Sequence, residues 1–102
     1  MYGMIAKITA VPGKLEDFIG VLTKSTCNMP GCFSYVVAKD ATDSNVIWVT
    51  EVWDSAASHE ASFLLPEVKS AISEARSMVA TFERIAITTP VGGVGMGAPS
   101  DR

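Results

Sequence analysis

Apolar and polar positions alternate along YGMIAKITAV, residues 2–11, and the stretch holds β-branched residues, so it predicts a strand. Pro12-Gly13 breaks it. The period then changes. Leu15, Phe18, Ile19 and Leu22 recur at i, i+3, i+4 and i+7, which predicts a helix over 14–27 with Lys14, Glu16, Asp17 and Lys24 on its other faces. Asn28-Met29-Pro30-Gly31 ends it. CFSYVVAK, residues 32–39, reads as a second strand, and the polar cluster at 40–45 as the connector of an antiparallel hairpin. VIWVTEVW, residues 46–53, carries the strongest strand signal in the chain. Asp54-Ser55 offers N-cap chemistry for a short helix over 56–64. Pro66 suits the first turn of another helix over 66–80, where Val68, Ala71, Ile72, Ala75 and Val79 share a stripe. FERIAITT, residues 82–89, alternates again as a fourth strand.

The order β-α-β-β-α-α-β is the split βαβ pattern of a ferredoxin-like α+β fold with a four-stranded antiparallel sheet. One domain is expected over residues 1–92. Beyond it, residues 93–102 form a Gly/Pro-rich tail, expected to be flexible or draped over a partner.

A sheet with helices on one face and water on the other alternates cleanly. The third strand does not. Ile47, Val49, Glu51 and Trp53 share one face, and Trp48, Thr50 and Val52 the other, so each face carries a tryptophan. The second strand is similar, with Phe33, Tyr35 and Val37 opposite Val36 and Ala38. Both faces need apolar cover, and a second copy of the chain is the expected cover for one of them.

Composition sharpens this. Of 102 residues, 48% are hydrophobic and 19% charged, an apolar balance with little interior to hide it in. The net charge is −3 and the basic residues are scattered, which argues against a nucleic-acid partner. No stretch is long and apolar enough to span a membrane. The opening MYGMIAKITAVPGK lacks the features of a signal peptide, so a cytoplasmic protein is expected. Cys27 and Cys32 read as free thiols, with a disulfide across the intervening turn as the alternative. With His59 the only histidine, no metal-ligand spacing is present, and no metal or other cofactor is expected.

What chemistry the chain holds gathers after the third strand. Glu51 and Trp53 share a strand face, and His59 and Phe63 lie four apart on a helix face. If that face packs toward Trp53, His59 lies beside the indole in apolar surroundings, able to act as a base or donor. The plainer alternatives are a partly exposed helix histidine, a core tryptophan and a solvated glutamate.

At these residues the chain resembles the antibiotic biosynthesis monooxygenase family of dimeric α+β barrels. Glu51-Val52-Trp53-Asp54-Ser55, His59, Pro66-Glu67-Val68-Lys69, the Pro12-Gly13-Lys14 turn and Pro30-Gly31-Cys32-x-x-Tyr35 carry the resemblance over roughly residues 2–93. It implies a homodimer and a monooxygenase that oxidises a phenolic, quinol or anthrone-like substrate with O₂ without metal or flavin. His59 would be the catalytic proton handler. Trp53, Phe63, Tyr35, Val49 and Glu51 would bind substrate. Val49 stands where some members have Asn. Phe63 stands where the haem-degrading branch has its iron ligand, and a phenyl ring cannot ligate iron, which makes haem degradation the weaker expectation. The rival reading is a non-catalytic dimeric module that binds an apolar small molecule.

Overall fold

The computed structural model describes residues 1–96. Its elements are β1 Tyr2–Ala10, α1 Leu15–Ser25, β2 Cys32–Lys39, β3 Val46–Trp53, α2 Ala56–Ser62, α3 Pro66–Ala75 and β4 Val79–Thr88. The strands form one antiparallel sheet in the order β2-β3-β1-β4. This is the ferredoxin-like α+β fold that the hydrophobic pattern predicts. Of the tail expected beyond residue 92, residues 97–102 lie outside the described residues.

Local chemistry sets the element ends. Lys14 N donates to Val11 O across the Pro12-Gly13 turn, where Gly13 takes a φ of +86°. Glu16 and Asp17 in the first turn of α1 and Lys24 in its last suit the helix dipole. Ser55 caps α2, its Oγ accepting from Ser58 N at 3.1 Å. Pro66 opens α3. Gly31, at φ +82°, lies so close to α2 that a Cβ there would stand 2.7 Å from Ser58 Cβ, and its carbonyl accepts from Asp54 N. That approach ties the start of β2 to the start of α2.

The boundary between α3 and β4 departs from the expected 66–80 and 82–89. The apolar stripe runs on to Val79, but α3 stops at Ala75. Residues 76–78 turn, with Met78 N donating to Ala75 O and Val11 N to Met78 O, and Val79 then pairs with Ala10. Val79 packs against the core from a strand instead of a helix. Periodicity cannot separate those outcomes, since both bury the same side chain. The other helices are shorter than expected at their C-terminal ends, α1 closing at Ser25 and α2 at Ser62.

Pairing gives each strand face its identity. Met4, Ala6, Ile8 and Ala10 of β1 join Ile47, Val49, Glu51 and Trp53 of β3 on the helix-covered face, all buried. The core proper gathers at one end of that face, around Ile8, Leu15, Phe18, Ile47, Val49 and Ala75. Among the described residues no element lies on the opposite face. There Ile5, Lys7, Trp48 and Val52 are half-buried and Val36 is exposed. Lys7 Nζ lies 5.8 Å from the Trp48 ring centroid, and Trp48 Nε1 donates to Asp40 Oδ1 at 2.8 Å. Cys27 and Cys32 are free thiols. No helix among the described residues is long and apolar enough to cross a membrane.

Candidate functional site

The core fills only part of the space between sheet and helices. The rest is a cavity of about 440 Å³, within the range that holds small organic ligands. Met4 and Ile8 of β1 and Glu51 and Trp53 of β3 form its floor. Phe18 and Leu22 of α1 and Val68, Ala71 and Ile72 of α3 bring apolar walls from above. The helical stripes that mark α1 and α3 in the sequence thus serve two purposes, packing at one end and cavity lining at the other.

The buried polar side chains of this space, Glu51, His59 and Ser62, gather in one cluster. The Trp53 indole is 1% exposed, and its Nε1 donates to Glu51 Oε1 at 2.9 Å, a bond fixed by their i, i+2 positions on β3. His59, one turn into α2, is 6% exposed, with Nε2 at 3.7 Å from the same Glu51 oxygen. That separation is too long for a direct hydrogen bond. Three aromatic rings enclose the imidazole. Tyr2 stacks on it with centroids 5.2 Å apart, Trp53 meets it edge-on at 5.4 Å, and Phe63 edge-on at 5.2 Å. Ser62 Oγ donates to His59 O at 2.6 Å and steadies the helix end.

The surroundings favour uncharged forms. Burial raises the Glu51 pKa above the usual carboxylate value, opposed by the Trp53 hydrogen bond and the positive charge of Arg84. Burial lowers that of His59, reinforced by Arg84 and opposed by Glu60. Burial, with Glu51 and Cys32 adding to it, pushes the Tyr35 phenol far up, so it stays a donor. Burial and then Glu51 push the Cys32 thiol up to about 11, against a hydrogen bond to Ser34. A neutral imidazole in largely apolar surroundings is equipped to accept a proton from a bound hydroxyl.

Five of the residues singled out from sequence meet here: His59, Trp53, Glu51, Phe63 and Tyr35 all line the cavity. Val49 does not border it. It is 1% exposed within the core cluster, one strand repeat below Glu51. Sequence reasoning missed Tyr2, Met29, Ser62 and Arg76. Tyr2 was recoverable only from register, since it pairs with Trp53 across β1 and β3. Arg76 follows the last residue of α3, where the stripe suggested continuing helix. Among the described residues no three His, Cys, Asp or Glu side chains gather to hold a metal ion.

The sequence profile of antibiotic biosynthesis monooxygenases matches residues 1–74. The chain belongs to that family. A crystal structure of an antibiotic biosynthesis monooxygenase family protein from Chloroflexus aurantiacus is 47% identical, with a TM-score of 0.88, covering 94% of this chain and 98% of that one. Family structures from Caulobacter crescentus (21% identity, TM-score 0.77, 89% and 90% covered) and Deinococcus radiodurans (19%, 0.76, 92% and 96%) share the fold. Comparison with curated proteins finds no match. The antibiotic biosynthesis monooxygenase profile thus spans β1 to α3, including every residue of the Glu51–Trp53–His59 cluster.

Proposed function

We propose that the chain is a monooxygenase that oxidises a phenolic, hydroquinone or anthrone-like aromatic with O₂ and draws on no metal or flavin. The observation that carries this reading is His59: a buried imidazole, its pKa held down, 3.7 Å from Glu51 in an apolar cavity. Such a substrate is electron-rich once deprotonated and can reduce O₂ itself. His59 takes the proton from the substrate hydroxyl or its acidic carbon. The carbanion or phenolate passes one electron to O₂, the substrate radical and superoxide combine as a peroxide anion, and the His59 imidazolium returns its proton to give the hydroperoxide. For an anthrone CH₂, loss of water then leaves a carbonyl. One oxygen atom enters the product, the other leaves as water, and the substrate supplies all the electrons.

The apolar walls exclude bulk water, which strengthens every polar contact inside. Trp53 and Phe63 flank the aromatic body. The Tyr35 hydroxyl, held protonated, donates to the developing oxyanion. The working unit is a homodimer in the cytoplasm. The uncovered sheet face around Trp48 and Val52 meets its copy, burying more than about 1,000 Å².

The test is oxygen uptake by purified, metal-stripped protein with a panel of hydroquinones and anthrones. We expect uptake above autoxidation, with one quinone formed per O₂. Binding of the same compounds without uptake would make the protein a binding module instead.

A further inference from the structure

We propose that the cavity's ligand carries an acidic substituent, a carboxylate or an equivalent anion on its aromatic frame, which the Arg76 guanidinium holds. This rests on the reading of the cavity as an aromatic-binding site and adds to it the charge of what binds.

Arg76 is the sole Lys or Arg side chain on the cavity wall among the described residues. It forms no ion pair among them, where the salt bridges are Lys39–Glu16 and the His59–Glu51 contact. A guanidinium at the edge of an apolar cavity with no protein carboxylate to meet is suited to an anion from outside, which it takes bidentately.

Position separates the two chemistries. Arg76 follows Ala75, whose carbonyl binds Met78 N while Met78 O binds Val11 N, so it lies at the Ala10 end of β1. Glu51 pairs with Met4, at the other end. A ligand lying along β1 therefore keeps its anion away from the Glu51 carboxylate and offers its reactive end to His59. The neighbouring surface repels the same ligand. The groove between α1 and α3 is lined by Glu16, Asp17, Glu67 and Glu74 against Lys24 alone. On a chain of net charge −3, Arg76 is the positive charge on the cavity wall that can draw an anion in. Arg76 also closes α3, where its charge suits the helix dipole, so stability alone cannot test this role.

Calorimetric titration with 2-naphthoate and its uncharged twin 2-naphthamide separates the questions. We expect wild-type protein to bind the acid about tenfold tighter than the amide, the size of one partly solvated charge-assisted contact. Arg76→Gln should erase that preference and leave amide affinity unchanged, and Arg76→Lys should keep part of it. Equal binding of acid and amide by wild type, or an acid preference that survives Arg76→Gln, overturns the proposal and leaves the aromatic cavity standing. Binding of neither compound overturns both.

Discussion

Trp48 and Trp53 lie on opposite faces of β3, and each indole N–H donates to a carboxylate at nearly the same distance, 2.8 Å to Asp40 and 2.9 Å to Glu51. The two carboxylates nonetheless respond in opposite directions. Asp40 is held far below its ordinary pKa, by the indole and by backbone N–H groups of Asp43 and Thr42. Glu51 is pushed above its ordinary value, because burial outweighs the same kind of bond. The same kind of hydrogen bond lowers both; whether burial outweighs the hydrogen bonds decides the direction. The outer face spends its carboxylate on fixing a turn. The inner face holds its own beside the imidazole of His59.

That contrast can be broken from either side. Trp53→Ala removes the largest fully buried side chain and should cost about 3–5 kcal/mol in chemical denaturation, with loss of ligand binding. His59→Ala should cost about 10²–10⁴ in turnover of a confirmed substrate while the melting temperature moves little. In the wild type, turnover should persist as pH falls through the ordinary histidine value of 6.5 and drop only below it. On the outer face, where we propose that two copies meet, Trp48→Glu would bury a carboxylate between them. Sedimentation should then show monomer at concentrations, about micromolar, where the wild type is expected to be a dimer.

Glu51→Gln sharpens the comparison through pH. A group whose folded pKa is raised gives stability that is complete below its unfolded value of 4.5 and lost as pH rises through the folded one. The amide removes that loss and still accepts from Trp53. Its melting temperature should exceed the wild type's at about pH 8 by a few degrees, with the gap closing toward about pH 4. His59 works the other way, its contribution present above 6.5 and lost as pH falls, so the substitution should also expose that slope. Asp40→Asn should give the smallest effect: slight destabilisation at neutral pH that disappears only in strong acid, below the ordinary aspartate value of 3.8.

Much of this was legible in the chain itself. The stripe of Leu15, Phe18 and Leu22 and the alternation of β1 each have one geometric solution, and together they order the fold. The Glu51–Trp53 bond and the nearness of His59 to Phe63 follow from spacings of two and four. What escaped came from distant segments. Tyr2 reaches His59 only through the β1–β3 register, and Arg76 is placed by a turn that an apolar Val79 disguises. Val49 shares the face of Glu51 and Trp53, but whether core or cavity lies above a given rung depends on where α1 crosses the sheet, which no local pattern encodes.

The edge-on meeting of Trp53 and His59 has an optical consequence. An indole in contact with an imidazole emits differently according to whether the ring is charged, since the imidazolium is the stronger quencher. Buried Trp53 should therefore emit to the blue of half-exposed Trp48 on the far face. With Trp48 replaced by Phe, the steady-state spectrum of one chain becomes a continuous readout of the proton on His59 and of whatever enters beside it.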